Sequence, residues 1–217
     1  MKKNKTPIKN APYAHRKKDT KKSRKTYYTA GAVLAGALLL AALWFLLTPP
    51  DGYYAEINIK DYGTITAYLD RKAAPITVKN FVSLAKDGFY DGLTFHRIRE
   101  GFMIQGGDPN GNGSGSSSKT IYGEFFFNGY DNPLSHTRGA ISMARSDPYN
   151  SASCQFFIMH EDNSVDLDGL YACFGYVTSG MEIVDQICAD AQPTDDNGTI
   201  PAAEQPVITS ITIRSAK

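Results

Sequence analysis

An uncharged apolar segment near the N-terminus constrains this chain more than any other feature. Residues 27–47 read YYTAGAVLAGALLLAALWFLL and contain no charged side chain. These 21 residues, rising about 1.5 Å each in a helix, span roughly 30 Å, which is the thickness of a bilayer's hydrocarbon core. Tyr27, Tyr28 and Trp44 lie near the two ends of the segment, where amphipathic rings favour the headgroup region. The sequence therefore predicts a transmembrane helix over 27–47 that contacts the lipid bilayer.

The charges are divided unevenly on the two sides of this segment. Residues 1–25 carry eleven Lys and Arg and one acid, a balance of +10, whereas 26–217 carry 12 bases and 21 acids, a balance of −9. Because basic flanks stay on the cytoplasmic side, we expect a cytoplasmic tail over 1–26 and an extracytoplasmic domain after the segment. A uniformly basic nucleic-acid-binding domain is excluded, and we expect no nucleic-acid partner.

A cleavable signal peptide is the main alternative to an anchor. Its apolar region has about 7–15 residues and precedes a small-x-small site. Here the apolar run is longer and continues into TPP without such a site. A buried helix of a soluble protein would show a polar face and would not need the basic flank. We therefore interpret 27–47 as an uncleaved single-pass signal anchor, followed by a linker over 48–52, TPPDG.

Residues 53–217 show mostly β-strand patterns. Alternating apolar residues over 53–60 and 64–70, with Asp61-Tyr62-Gly63 between them, predict a hairpin. Further strands are predicted around 94–98, 102–105, 139–143, 155–159 and 171–177, and in a last strand with Val207, Ile211 and Ile213 on one face. Many strands with few helices indicate an all-β fold, either a closed antiparallel barrel or a sandwich.

Two short helices are predicted between these strands. Pro75 is suited to the first turn of a helix, and Gly88 lies where a C-terminal cap belongs. A second helix is predicted to begin at Ser179, with Glu182 completing a capping box. The residues predicted to face inward are Val78, Phe81, Val82, Ala85, Val184 and Ile187.

Several patterns that could carry chemistry are incomplete. The loop 106–118 is rich in Gly and Ser, but a phosphate-binding loop requires Gly before Lys119 and this chain has Ser118. The four histidines show no metal-ligand spacing, so we expect neither a metal nor a cofactor. No Ser, His and Asp can be grouped from the sequence. The three cysteines are predicted to be buried free thiols, with a Cys154–Cys173 disulfide left open for an oxidising compartment.

The most informative stretch is 95–108, FHRIREGFMIQGGD. Arg97 stands in an otherwise apolar strand, and Phe102, Met103 and Gln105 follow a turn at Gly101. The pattern places one cationic donor beside an apolar wall. A surface arginine on an edge strand is the alternative interpretation.

Six motifs in this chain resemble those of the cyclophilins, the peptidyl-prolyl cis–trans isomerases, in order and spacing. The resemblance covers about 53–214, and its motifs are FHRI…GFMIQGGD, IYGE (121–124), GAISMA (139–144), QFFI (155–158), LDG (167–169) and FG (174–175). The resemblance implies an eight-stranded antiparallel β-barrel closed by two helices and an enzyme that isomerises X-Pro bonds. It also places Arg97 in an active site rather than on an edge strand.

The resemblance implies roles for eleven residues by position. Arg97 resembles the family's catalytic arginine, in a catalytic set of Arg97, Phe102, Gln105 and Phe157. The substrate-binding set is His96, Met103, Ala144, Arg145, Gln155, Leu167 and Tyr171. Within these sets, the apolar wall of the proline pocket is formed by Phe102, Met103, Phe157 and Leu167.

Three positions depart from the best-known eukaryotic pattern. Asp166 stands where that pattern has Trp, Tyr171 where it has His, and Arg145 replaces a common Asn. The first two leave cyclosporin sensitivity open and favour the alternative function, a non-catalytic proline-peptide-binding module or holdase. The main expectation is a membrane-tethered foldase of bacterial-like architecture. Its monomeric isomerase domain, 53–217, would act on proline-containing unfolded or secreted polypeptides outside the cytoplasm.

Overall fold

The computed structural model describes residues 33, 35–40, 43–44 and 50–216. The chain divides into two units, Met1–Pro49 and Pro50–Lys217. The predicted basic tail lies outside the described residues, as does part of the apolar segment, whose described residues are helical. Within the described part of the chain, no helix combines the length and the apolar character needed to cross a membrane.

Eight antiparallel strands form one sheet in the second unit. Their order across the sheet is β3-β4-β6-β5-β7-β2-β1-β8, and each of the eight predicted strands is found. The strands are β1 (Gly52–Ile59), β2 (Gly63–Asp70), β3 (Thr94–Arg99), β4 (Met103–Asp108), β5 (Ala140–Met143), β6 (Phe156–Met159), β7 (Ala172–Ser179) and β8 (Ile208–Ser215).

The sheet curls into a half-barrel, and closure into the predicted barrel is not shown. Next to the end strands β3 and β8, Thr94 forms an isolated bridge with Val207, and backbone hydrogen bonds from Phe95 to Pro206 and from Ile208 to Leu93 flank it. Beyond this bridge, another segment occupies the outer edge of β3: Ile98 N–H donates to the carbonyl of Gly198, and Ile200 N–H donates to that of His96. Because these backbone groups are already paired, β8 cannot continue along β3.

Three α-helices and one 3-10 turn accompany the sheet. They are α1 (Pro75–Lys86), the 3-10 turn Phe126–Asn128, α2 (Ser164–Leu167) and α3 (Met181–Asp190). Helix α1 confirms the first predicted helix, whereas α2 was not predicted. The capping box proposed at Ser179 is wrong, because Ser179 pairs with Thr66 at the end of β7. Gly180 instead precedes α3 with a φ of 93° and no side-chain cap.

Two apolar clusters lie on the two faces of the curled sheet. Strand alternation separates them: Ile104 and Ile158 join the large cluster together with α1 and α3, whereas Met103 and Phe157 join the small one. Every inward residue predicted for α1 and α3 is buried. In β8, Ile211 is buried and Ile213 packs against the large cluster on the same face, as predicted. Ile208 is buried in place of Val207, because a register irregularity opposite Asn58 and Ile59 shifts the alternation there.

The cysteines agree with the prediction of free thiols. Cys154, Cys173 and Cys188 are buried and unbonded, so the Cys154–Cys173 disulfide is not formed. Burial raises the pKa of Cys173 to about 12 and that of Cys188 to about 12. Both thiols are therefore protonated and unreactive at neutral pH.

Candidate active site

A β-bulge in β3 sets the direction of Arg97. Phe95 pairs with Gly106 and Arg97 pairs with Gln105, so His96 is an extra residue on its strand. Phe95 and Ile98 both face the main core although they are three positions apart in the strand. A bulge re-aims side chains in this way. Its effect here is to place Arg97 on the outer face of the sheet, beside Gln105.

Neighbouring strands supply an apolar surface next to Arg97. Met103 and Gln105 alternate with Ile104 on β4, and Phe157 on β6 pairs with Gln105. Phe157, Met103 and Leu167 are buried in the small cluster, with Phe102 and Tyr171 packed against it. Arg97 therefore lies at the edge of an apolar depression.

This depression is a cavity of about 300 Å³. Ten of the eleven predicted site residues line it: His96, Arg97, Phe102, Met103, Gln105, Ala144, Arg145, Phe157, Leu167 and Tyr171. The eleventh, Gln155, lines an adjoining cavity of about 340 Å³. Asp166 is exposed and does not line the cavity.

The guanidinium of Arg97 is held in a fixed orientation. Its Nε donates to the carbonyl of Asn197 at 2.7 Å, and Nη1 donates to Gln105 Oε1 at 3.1 Å. Its Cζ lies 5.9 Å from the centre of the Phe102 ring. Burial, followed by the nearby charge of Arg99, lowers the pKa of Arg97. Because a guanidinium keeps its proton in proteins, the group remains a cation with free donors facing the cavity.

A chain of amides fixes Gln105 in turn. Gln105 Nε2 donates to Gln155 Oε1 at 2.9 Å. Gln155 Nε2 then donates to the carbonyls of Gly113 and Gly115, at 3.0 and 2.8 Å. The buried carboxylate of Asp108 holds this glycine-rich loop by accepting from the backbone N–H groups of 110, 112 and 113. These hydrogen bonds give the glycine-rich loop a defined conformation beside Gln105.

His96 is an unsatisfied polar group at the cavity. His96 is only 4% exposed, and within the described residues neither of its ring nitrogens has a hydrogen-bond partner. Burial lowers the pKa of His96, although Asp108 opposes this. Both ring nitrogens are buried, so the neutral imidazole contributes to the wall of the cavity.

A Ser-His-Asp arrangement, in which Ser142 and His136 are buried and Asp168 is exposed, lies behind the cavity and was missed from the sequence. His136 Nδ1 is 2.7 Å from Asp168 Oδ1, and its Nε2 is 2.9 Å from Ser142 Oγ. Burial raises the pKa of Asp168, but hydrogen bonds from Ser135 and His136 more than offset this and lower it. The ionised carboxylate therefore accepts the hydrogen bond from His136 Nδ1. His136 is stacked on Phe157, and Ser142 is 0% exposed. The arrangement therefore supports the cavity wall and cannot act as a nucleophilic site.

Four cavity-lining residues were not predicted: Asn112, Gly113, Asn197 and Thr199. All four lie in loops outside the motifs. The second pair is brought to β3 by a bridge between Arg97 and Thr199. The Asn197-Gly198 dipeptide is a turn signature that indicated a tight turn there, but not its pairing with β3.

Comparison with known proteins agrees with this geometry. Residues 54–217 match the family "Cyclophilin type peptidyl-prolyl cis-trans isomerase/CLD". Peptidyl-prolyl cis-trans isomerase B of Bacillus subtilis is 46% identical over 131 residues, which are 60% of this chain and 85% of that protein. Peptidyl-prolyl cis-trans isomerase-like 1 of Neurospora crassa is 42% identical over 153 residues, 70% of this chain and 90% of the relative.

A solved structure is similar over most of the same region. It is a cyclophilin-type peptidyl-prolyl cis-trans isomerase of Cryptosporidium parvum in the presence of the dipeptide Ala-Pro, with a TM-score of 0.65 and 30% identity. It covers 75% of this chain and 99% of its own. Family match, relatives and fold agree, and the chain belongs to the cyclophilin family of peptidyl-prolyl cis-trans isomerases.

Proposed function

We propose that Arg97 catalyses isomerisation by stabilising the twisted X-Pro amide, in an enzyme tethered to the outer side of a membrane. The observation that carries the proposal is the position of the Arg97 guanidinium, fixed by Asn197 and Gln105 at the edge of an apolar cavity.

The chemistry requires no covalent intermediate. Amide resonance gives rotation about a peptide bond a barrier of about 18–20 kcal/mol, while the cis and trans forms of X-Pro differ by only about 0.5–1 kcal/mol. In the twisted state the nitrogen regains its lone pair. A guanidinium donor aimed at that nitrogen stabilises the transition state more than either planar form, which is the condition for catalysis.

The apolar wall would hold the proline ring while the acyl side turns. Phe102, Met103 and Phe157 present ring and thioether surface to the cavity, and their low polarity strengthens the contact of Arg97 with the amide. The relative from Cryptosporidium parvum was solved with Ala-Pro. This supports a proline-containing peptide as the substrate here.

The membrane location is supported by the sequence of the first unit. The uncharged run 27–47 follows eleven basic residues, and this order favours a cytoplasmic N-terminus. Polypeptides that emerge on the far side are unfolded, and X-Pro isomerisation takes about 10–100 s without a catalyst. We therefore place the isomerase domain where it meets secreted chains.

Arg97→Ala tests the assignment of the catalytic arginine. We expect at least about a tenfold loss of kcat/KM, because about 1.4 kcal/mol of transition-state stabilisation is removed. The assay is NMR exchange of a proline peptide together with a proline-limited refolding reaction, using the full chain in detergent. Arg99→Ala is the matched control, since Arg99 also lies over the Phe102 ring, at 5.5 Å, but is exposed and outside the cavity.

The outcomes separate an enzyme from a binding module. Acceleration of refolding at substoichiometric protein, lost in Arg97→Ala and kept in Arg99→Ala, supports the proposal. Near wild-type activity of Arg97→Ala would overturn the assignment of Arg97. Protection of the client only at stoichiometric protein would support a holdase.

Membrane tethering has a separate test. The full chain, expressed in cells and fractionated, should stay with the membrane after alkaline extraction, and an external protease should reach residues after 50. A chain released by alkali, or one shortened at its N-terminus to a secreted form, would contradict an uncleaved anchor.

A further inference from the structure

The two adjoining cavities form one continuous groove in which Arg145 is the shared charged residue. Both cavities are lined by Gln105, Gly113, Ala144 and Arg145. The second cavity extends away from Arg97 between the glycine-rich loop and residues 146–155. A peptide whose proline occupies the first cavity therefore passes Arg145 on its way into the second.

The Arg145 guanidinium is fixed rather than solvated freely. Nε donates to the carbonyl of Leu170 at 3.0 Å, and Nη1 donates to the carbonyls of Ser146 and Asp147 at 2.9 and 3.1 Å. Its Cζ lies 4.9 Å from the centre of the Tyr171 ring and 5.1 Å from that of Tyr149. All these partners are carbonyls and aromatic faces, so the positive charge is held without a carboxylate to neutralise it.

One terminal nitrogen of this guanidinium remains available. Among hydrogen bonds between described residues, Nη2 of Arg145 has no acceptor. A preorganised guanidinium with an open donor binds a carboxylate more strongly than a mobile surface lysine does. The Arg145 side chain is thus positioned to donate a hydrogen bond to an anionic group at the boundary of the two cavities.

The charge of the groove is opposite to that of the domain around it. Arg97 and Arg145 line the groove, and none of its described lining residues is Asp or Glu. The chain from residue 26 onward nevertheless carries 21 acids and 12 bases. Asp195 is near enough to raise the pKa of Arg97, but its carboxylate accepts hydrogen bonds from Thr199 within its own loop. A cationic groove on an acidic domain attracts anionic segments and repels basic ones.

We propose that Arg145 makes this isomerase selective for client segments that carry an Asp or Glu close to the proline. This inference rests on the proposed function, because it names the substrate class of the same groove. The selectivity is a difference between an attraction to acidic peptides and a repulsion of basic ones. Arg145 contributes this difference through charge.

The test compares peptides that differ at one position. Each peptide has a central Ala-Pro, and one position at a time, from three before to two after the proline, is Glu, Gln or Lys. Catalysed exchange is measured by NMR at low peptide concentration with the full chain in detergent. At the preferred position, we expect about a fivefold higher kcat/KM for Glu than for Lys, of the order expected for a partly exposed ion pair, and a smaller ratio at 0.5 M salt, about 4 Å screening length.

Three variants assign the preference to Arg145. Arg145→Gln should bring the Glu-to-Lys ratio close to one, whereas Arg145→Lys should keep most of it. Arg214→Gln is the matched control and should leave the ratio unchanged, because Arg214 also stacks on a tyrosine, Tyr54, but lies on β8. The ratio compares two peptides on one protein sample, so a variant that is partly unfolded still gives a valid result.

The outcomes distinguish this inference from the proposed function. Activity on the Gln peptides with no preference for Glu at any position would overturn the inference and leave the isomerase intact. The same ratio in wild type and Arg145→Gln would also overturn it. Absence of activity on every peptide would instead contradict the proposed function. If Arg145→Gln does not fold, a Glu preference in wild type that is unchanged by salt would still refute a charge-based selectivity.

Discussion

Gln155 does not contact Arg97 by a hydrogen bond but supports its orientation through Gln105, which accepts from the Arg97 guanidinium. It connects Gln105 to the carbonyls of Gly113 and Gly115 by three hydrogen bonds. Gln155→Leu removes all three and leaves half-buried polar groups unpaired, at a cost of about 1–3 kcal/mol for each group that water cannot reach. We expect kcat/KM to fall about tenfold, with a lower unfolding midpoint.

A matched variant separates these effects from the loss of an amide in general. Gln186 lies on α3, is exposed, and donates only to Asp190 within the helix. Gln186→Leu should leave both activity and midpoint near their wild-type values. Equal activity of Gln155→Leu and wild type would show that Gln105 does not need this support.

The residues of the site were predictable where they stand in strands. Met103, Gln105 and Phe157 follow the period-two alternation, so their shared face follows from the sequence once the strands are paired. The bulge at His96 breaks this period, and simple alternation from Phe95 would put Arg97 on the same face as the core. Only the family motif placed Arg97 in the site before the structure was known.

At the scale of elements, helix α1 is capped by a residue from a distant part of the chain. Its N-cap, Ala74, has no side-chain cap. The carboxylate of Glu124, which is 0% exposed, accepts from the N–H groups of Ile76 and Thr77, at 3.0 and 2.7 Å, and from the Thr77 hydroxyl. Local sequence predicted the helix from Pro75 onward but could not show this cap, because the cap depends on a tertiary contact.

Glu124→Gln should therefore destabilise the domain. The substitution replaces a charged acceptor at a helix N-terminus by a neutral amide, whose NH₂ group cannot accept. We expect the free energy of unfolding in urea to fall by about 1–3 kcal/mol. Glu182→Gln is the control: Glu182 lies in the first turn of α3 and is exposed, so its loss should cost about 0.5 kcal/mol. Equal effects of the two variants would contradict the cap.

The loop that covers β3 depends on one glycine. Gly198 has a φ of +91°, and a Cβ there would lie 2.5 Å from the carbonyl oxygen of Ile98. Gly198→Ala should push the loop from β3 and move the Asn197 carbonyl away from Arg97. We expect kcat/KM to fall about tenfold and stability to fall by more than the roughly 1–2 kcal/mol of a left-handed alanine.

Gly92→Ala controls for backbone strain alone. Gly92 also has a positive φ, +82°, but a Cβ there would meet nothing within 4 Å. We expect it to cost about 1–2 kcal/mol of stability while kcat/KM stays near wild type. If the two alanine variants were equally active, the loop would not contribute to orienting Arg97.

At the scale of the whole molecule, the two apolar clusters of the described domain have different roles. The larger cluster joins α1 and α3 to one face of the sheet, and the smaller one forms the floor of the cavity. Two buried histidines lie beside the smaller cluster and the cavity. His136 is stacked on Phe157, and His96 lines the cavity. Their protonation therefore links the stability of the entire domain to pH.

The direction of this link follows from the pKa values. Burial lowers the pKa of His136, against the opposing effect of Asp168, and burial also lowers that of His96. In the unfolded chain both return to about 6.5, so the unfolded state binds more protons as the pH falls below that value. The free energy of unfolding should hence be highest above about pH 6.5 and decline toward pH 5, by up to about 1.4 kcal/mol per pH unit for each histidine.

Urea unfolding at a series of pH values from 8 to 5 measures this decline. His136→Gln should lower stability at pH 8, because the bonds to Asp168 and Ser142 are disturbed, but it should also flatten the pH dependence by removing one titrating group. His96→Gln should flatten it without that loss, since within the described residues the His96 ring has no hydrogen-bond partner. A stability that is constant or rising toward pH 5, or an unchanged slope in both variants, would contradict the lowered pKa values of these two histidines in the folded protein.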